Sequence, residues 1–528
     1  MTHEGMMRRV RRASTCLAFL LIAAGCQQAE RADTVVYASG ADLESADPVI
    51  TIHPMARQVQ RHALFVTLLK LDSALNVQPY YAREWAWSAD QTQLRLRLEP
   101  TLRWHDGEPT TSADVAFTLD RVRDPAAGSP RQAELAQLAG WEIHGPNEMT
   151  LKFRLPQPAM PNWLAELPVV PRHLLGDVPP HEQRRAGFGT VPVGNGPYRF
   201  VHRDRGERWI FEANEEFPRS MGGPPAVRRF VVVVVDEATT KFAGLVSGEL
   251  HVAGISPGMA GLVRQDPGLE LRTYPVLFTT ALIFNPARPP FNDVRVRRAF
   301  DMAVDRERII RVAFSGLAAP AGGPVAPDNP MVLGLEPRFD PEQANALLEE
   351  AGWTRASGER WRSRDGVQLT VELLTVGSAD NAVEQLIQDD LADIGVRMEI
   401  RQLEMGSFLS IARAPDKRFD MLITGVPGDL SLSYLAAMFE SRLAGGALDY
   451  AGYHTPALDS AFAEARTATS EMELRNAWTT VQRILDNELP VAWLIHSRGV
   501  QGVSSRLQGV HMDLRGELAT LSEWRLRQ

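Results

Sequence analysis

The chain has 528 residues, 44% of them hydrophobic and 23% charged, with a formal charge of −9. These proportions belong to a globular protein with room for about two to four domains or lobes, and the acidic balance argues against nucleic acid as the main partner. The only cysteines are Cys16 and Cys26, which excludes a disulfide framework and leaves stability to a large apolar core.

The first element is a leader. Arg8, Arg9, Arg11 and Arg12 precede an apolar run from Leu17 to Ala24, and Ala23-Ala24-Gly25 stands before Cys26. Positive flank, short apolar core and small residues before a cysteine form the pattern of a lipoprotein signal peptide. The run is shorter than the roughly 20 residues a membrane-spanning helix needs. Residues 1–25 are therefore expected to be removed, Cys26 to carry the lipid, and 26–32 to form a tether. The mature protein is expected outside the cytoplasm, at the periplasm or cell surface, held to a membrane by acyl chains. Loss of the four arginines and Glu4 moves the charge from −9 to −12.

Residues 34–38 (Thr-Val-Val-Tyr-Ala) read as a strand ending at Ser39-Gly40. Residues 58–71 look helical, and 93–98 alternate strictly as a half-buried strand. Trp104-His105-Asp106-Gly107 is a turn, after which Thr111 to Asp114 cap a helix over 115–121. Another alternating strand covers 149–155, and the proline-rich stretch 156–192 reads as loop. The valine run 231–235 predicts a strand buried on both faces. A helix over 237–247 ends at Gly248, and 282–285 ends a strand. An amphipathic helix pair covers 294–314, and a helix over 341–351 closes at Gly352. Strand 369–374, helix 382–394 and strand 396–403 make a βαβ unit, which implies parallel pairing. Strand 419–425, helix 471–487 and strand 491–495 complete the pass.

No His-Glu-x-x-His, phosphate loop, Gly-x-Ser-x-Gly elbow or Cys/His cluster occurs. His105 beside Asp106 reads as a hairpin turn rather than a catalytic pair. An exported α/β chain of this size without catalytic motifs or cofactor signatures points to a ligand-capturing protein, not an enzyme.

Four blocks carry a resemblance. They are 102–115 (Leu-Arg-Trp-His-Asp-Gly-Glu-Pro-Thr … Ala-Asp-Val), 193–200 (Val-Gly-Asn-Gly-Pro-Tyr-Arg-Phe), 291–306 (Phe-Asn-Asp-Val-Arg-Val-Arg-Arg-Ala … Ala-Val-Asp-Arg) and 340–353 (Asp-Pro … Ala-Gly-Trp). In order and content they resemble the extracytoplasmic solute-binding proteins of the peptide/nickel class of ABC importers, family 5. The resemblance implies a two-lobed α/β fold of the periplasmic-binding-protein type II kind, with an extra subdomain in the first lobe. Lobe I would take 33–72, 193–275 and 489–528, the extra subdomain 73–192, and lobe II 276–488. The hinge would lie near Tyr274-Pro275 and Leu489-Pro490.

The resemblance also implies a monomer that captures a peptide or related solute between its lobes and delivers it to a membrane permease. Other readings are a receptor that presents ligand to a sensor, or a binder of a nickel chelate, opine or sugar. In peptide-binding members an aspartate holds the ligand's α-ammonium, and Asp429 falls at that position, although Val426 stands where tryptophan is usual. Asp429 can equally cap the helix that follows. Main-chain groups of Ser39-Gly40-Ala41 and Thr424-Gly425-Val426 are the candidate edges for an extended ligand. Dipeptide binders also clamp the free carboxylate with an arginine, yet residues 365–396 hold no Lys or Arg, which favours a longer peptide, a cationic ligand or a non-peptide solute.

Overall fold

One mixed sheet runs through the whole molecule in this computed structural model, which describes residues 33–51, 53–377 and 381–527. In spatial order its strands are Arg397–Leu403, Thr370–Val376, Met421–Pro427, Leu269–Phe284, Val491–Ser504, Val252–Gly254, Thr34–Ser39, Arg229–Val234, Arg208–Ala213 and Tyr198–Asp204. Ala318–Pro320 adds to Val491–Ser504 off that path. The leader, with the predicted lipidation site Cys26, lies outside the described residues.

The two central strands, Leu269–Phe284 and Val491–Ser504, are 16 and 14 residues long and pair antiparallel. The register of that pairing shifts between Pro275 and Thr279. Proline has no N–H to give a ladder, so pairing breaks after Pro275 opposite Arg498 and resumes at Thr279 opposite His496. On one side of the break lie Val252–Gly254, Thr34–Ser39 and Arg229–Val234; on the other lie Met421–Pro427 and Thr370–Val376. The two lobes therefore share one sheet and meet at this irregularity. Leu489 is the left-handed C-cap of helix Glu471–Glu488, and Val491 to Ile495 still pair with 280–283 and pack in the lobe II cores. On Val491–Ser504 the residues opposite the register shift are His496 to Arg498.

A four-stranded antiparallel sheet, Ala82–Trp87, Gln93–Leu98, Glu148–Phe153 and Leu138–Gly145, stands apart from the main sheet. Its inward residues Leu94, Leu96, Leu98, Met149 and Leu151 join the same apolar cluster as Tyr37, Phe211 and Phe230 of the first lobe. Helix Ser112–Arg123 covers it, with Asp114 reaching back to the Thr111 N–H at 2.8 Å. His105 ties this region to the main sheet. Its N–H donates to the Gly194 carbonyl at 2.7 Å and its Nε2 meets the Gly196 carbonyl at 3.0 Å. Burial holds its imidazole down to about 4, hence neutral. A Cβ on Gly194 or Gly196 would collide with the 63–65 backbone. The glycines of 193–200 therefore serve close packing.

In the second lobe Asp293 and Asp305 cap helices Val294–Ala303 and Arg306–Ala313. Arg297 and Arg306 are 4% exposed. Arg297 donates to the carbonyls of Phe291, Glu488 and Leu489. Arg306 donates to those of Ala321 and Trp493 and pairs with Asp301. These guanidinium groups fasten the helix pair to the start of Val491–Ser504. The βαβ unit is parallel, with Thr370 opposite Arg397 and Val376 opposite Leu403.

Three local expectations are corrected. Residues 58–71 are not one helix: helix Pro54–Val59 runs into a π turn to Leu64, and Leu69–Leu71 is a strand. The loop 156–192 contains short helices Trp163–Glu166 and Arg172–Leu175. The valine run is covered on both faces only around Phe230 to Val232, and Val233 and Val234 are half-buried.

Candidate functional site

The C-terminal ends of Thr34–Ser39 and Val252–Gly254 in one lobe, and of Thr370–Val376 in the other, flank the central strand pair. Ligands of open α/β sheets bind beyond such strand ends. Thr370–Val376 pairs with Met421–Pro427 only at Leu373/Met421 and Leu374/Leu422. Past Leu422 the two strands diverge, and Thr424 to Val426 keep a strand partner only on the Leu269–Phe284 side. That leaves a main-chain edge beside the interlobe break.

The predicted residues fall as follows. Ser39 is buried, and its Oγ donates to the Ala41 carbonyl at 2.7 Å and accepts the Ala41 N–H at 3.3 Å. The side chain is used in closing its own turn. Gly40 and Ala41 are exposed at the strand end, with Lys241 Nζ 3.6 Å from where a Gly40 Cβ would stand. Val426 is 1% exposed and belongs to the apolar core of lobe II, so its side chain is no ligand contact and only its backbone is a candidate. Gly425 does admit a close approach, but the group that approaches is the Phe278 ring, into which a Cβ would run. Phe278 is 44% exposed, an uncovered aromatic surface beside the register break.

Asp429 serves the cap role. Its Oδ1 accepts from Ser431 Oγ (2.5 Å) and Ser433 N (3.1 Å), and its Oδ2 from Ser433 Oγ (2.6 Å) and Tyr434 N (3.2 Å). A carboxylate offers about four lone-pair sites, and the start of helix Ser433–Phe439 fills them.

Sequence reasoning missed a second group. Tyr37, on Thr34–Ser39, donates its hydroxyl to Glu517 and accepts from Gln501 Nε2 at 3.4 Å. The same Nε2 lies 3.4 Å from the Tyr274 hydroxyl, just before Pro275. The Tyr274 ring lies over Gly499, where a Cβ would collide with it. At the register break His496 Nδ1 meets Thr279 Oγ1 at 2.9 Å, and burial lowers its imidazole to about 4. A lone Glu in an irregular C-terminal segment carries no sequence signal for any of this. On the outer side, the Gln91 amide oriented to face acceptors donates to the Thr469 carbonyl at 3.2 Å, linking the four-stranded sheet to lobe II.

A cavity of about 570 Å³ is lined by Asp72, Arg272, Thr273, His511, Asp513, Arg515 and neighbours. Among the described residues no three His, Cys, Asp or Glu side chains group as a metal site, and no helix is long and apolar enough to cross a membrane.

Comparison with known proteins places this arrangement. The family described as "Bacterial extracellular solute-binding proteins, family 5 Middle" matches residues 76–441. Protein XP55 of Streptomyces lividans is 27% identical over 532 residues, covering 97% of this chain and 94% of that protein. The oligopeptide-binding protein AppA of Bacillus subtilis is 22% identical over 476 residues, covering 87% and 86%. Among solved structures, AppA of B. subtilis with a nonapeptide superposes with a TM-score of 0.74 at 20% identity, covering 94% of this chain and 99% of that one. NikA of Brucella suis with Fe(III)-EDTA superposes with a TM-score of 0.81 at 20% identity, covering 94% and 100%.

Proposed function

The chain belongs to the bacterial extracellular solute-binding proteins of family 5, and from that premise we propose that its solute is a peptide, bound extended between the lobes. Members of the family are extracytoplasmic binding components of ABC importers and not enzymes. The observation that carries the peptide reading is the edge at Thr424 to Val426, which past Leu422 has no strand partner on one side among the described residues. An extended main chain adds to such an edge through backbone hydrogen bonds, which tolerates varied side chains. The exposed backbone of Gly40 and Ala41 faces the same junction from the first lobe, and the Phe278 ring offers an apolar surface beside it. Asp429 would meet an α-ammonium only by giving up part of its cap. Gram-for-gram the anchor is simpler: acylated Cys26 would hold the protein to the membrane, where it would act as a monomer beside its permease.

Native mass spectrometry of the protein from a rich host tests the ligand class. A ladder of added masses that fragment as peptides supports the reading and gives the length. A single recurrent non-peptide mass replaces it.

A further inference from the structure

Glu517 differs from most carboxylates that the fold buries. Its only hydrogen-bond partner among the described residues is the Tyr37 hydroxyl, and it takes part in no ion pair given for those residues. The cations of the adjoining segments are engaged elsewhere. Arg515 is bidentate to Asp513 and donates to the Leu71 carbonyl at 3.0 Å. Arg61 faces Glu166 at 3.8 Å and donates to the Arg515 carbonyl at 3.1 Å. Burial without a counter-charge pushes the Glu517 carboxyl up to about 7. Behind it, Gln501 is 4% exposed and its Oε1 has no hydrogen-bond partner among the described residues. A buried amide oxygen left unpaired costs the fold about 1–3 kcal/mol, so the Tyr37 hydroxyl stands between a carboxylate with one donor and no counter-charge and an amide whose oxygen has no donor. Glu517 keeps part of its surface open to solvent. Tyr37 and Tyr274, which complete the cluster, lie two residues before Ser39 and one before Pro275, so the group belongs to the first-lobe side of the interlobe junction.

We propose that Glu517, with Tyr37 and Gln501 behind it, receives a positively charged group of the bound solute, an ammonium or guanidinium, on the lobe I side of the cleft. This rests on the reading that the solute lies between the lobes. The incoming cation supplies the missing counter-charge to Glu517, and its N–H groups supply donors that the cluster lacks. Charge-assisted bonds of this kind are the stronger class. The site selects for charge and leaves the side-chain surfaces facing Phe278 unselected.

The test is calorimetric titration of the purified protein and of Glu517→Gln and Tyr37→Phe with a panel of tripeptides: Ala-Ala-Ala, Ala-Lys-Ala, Ala-Glu-Ala, and Ala-Ala-Ala acetylated and amidated at its ends. In the native protein the cationic peptides should bind tenfold or more tighter than the blocked one. Glu517→Gln should abolish that difference while leaving the blocked peptide unchanged, and Tyr37→Phe should weaken it. Equal losses across the panel, or none, overturn the proposal. If no peptide binds the native protein, the peptide reading fails by itself. The cation site is then decided by thermal shift with spermidine and L-argininamide: a shift in the native protein lost in Glu517→Gln supports it, and equal responses in both overturn it. Melting of both variants in buffer alone separates misfolding from lost recognition.

Discussion

Two regions place charge out of water in opposite ways. In the seam between helices Val294–Ala303 and Arg306–Ala313 and the strand Val491–Ser504, Arg297 and Arg306 are enclosed, but each guanidinium meets carbonyls, and Arg306 also meets Asp301. Around Tyr37 in the first lobe, Glu517 is half-buried with the Tyr37 hydroxyl as its partner, and the Gln501 oxygen is buried with none among the described residues. The desolvation cost of burial is similar in kind for both: a polar group leaves water and must be matched. The seam is matched within the chain, so it holds the fold. The first-lobe cluster is matched only in part, by the Tyr37 hydroxyl, and this is the opening that the proposed cation fills. The difference separates buried charge that maintains structure from buried charge that waits for a partner.

The sharpest way to break the seam is Arg306→Ala. It leaves Asp301 with only Arg338, at 3.8 Å, and leaves the Ala321 and Trp493 carbonyls without the guanidinium. Breaking a buried pair of this kind costs about 3–5 kcal/mol. Urea unfolding should show that loss, with the second lobe failing first by limited proteolysis. A loss under about 1 kcal/mol would mean the seam is not what fastens strand to helices.

At Glu517 the expected effect has the opposite sign and depends on pH. Its folded-state pKa of about 7 lies above the ordinary 4.5, so the fold binds a proton that the unfolded chain has released between those values. The stability this contributes relative to high pH is complete below 4.5 and is lost as pH rises through 7. Glu517→Gln, neutral throughout, should match the native protein near pH 4.5 and exceed it at pH 8 by up to about 3 kcal/mol. Parallel melting curves for the two proteins from pH 5 to pH 8 would show that the carboxyl has a partner after all.

What was legible in the sequence follows from how local each signal is. Strand 93–98, the helix capped at Thr111, Gly248 after its helix and the βαβ unit over 370–403 are each set by short-range pattern, and the structure has them. The two long central strands were visible only as their ends at 282–285 and 491–495. Pro275 interrupts one, and Gly499 and Gly502 interrupt the other, and both residue types read as breaks although the chain passes through. In the site, the strand-end glycines were legible but their purpose was not: what fills the space at Gly425 is Phe278, more than a hundred residues away in the chain. The cluster at Tyr37, Gln501 and Glu517 joins three distant segments, and no spacing in a single chain announces it.

The glycines under aromatic rings give the next comparison, of about 1–3 kcal/mol. Tyr274 is 3% exposed and lies over Gly499, whereas Phe278 is 44% exposed and lies over Gly425. Gly499→Ala forces a methyl against a ring with nowhere to go, and overpacking of that kind costs about 1–3 kcal/mol. Gly425→Ala meets a ring free to swing into solvent, so it should cost less than about 1 kcal/mol while moving the Phe278 surface. Chemical denaturation of the pair measures the contrast. Equal losses would mean that Phe278 is held as firmly as Tyr274.

The smallest effect distinguishes the two roles open to Asp429. As a cap, its removal in Asp429→Ala should cost about 1 kcal/mol. Asp429→Asn should cost less, because an amide oxygen still accepts the Ser433 N–H. Neither change should then alter the affinity of Ala-Lys-Ala by more than about twofold. As an ammonium contact, Asp429→Asn would instead remove the charge that holds the ligand, and affinity for unblocked peptides would fall about tenfold or more while stability barely moved. Four short bonds to Ser431, Ser433 and Tyr434 favour the first outcome, since each would have to weaken before the carboxylate could turn to a ligand. The second outcome would put a negative group on both walls of the cleft, Asp429 in one lobe and Glu517 in the other, and would point to a solute with two separated positive charges.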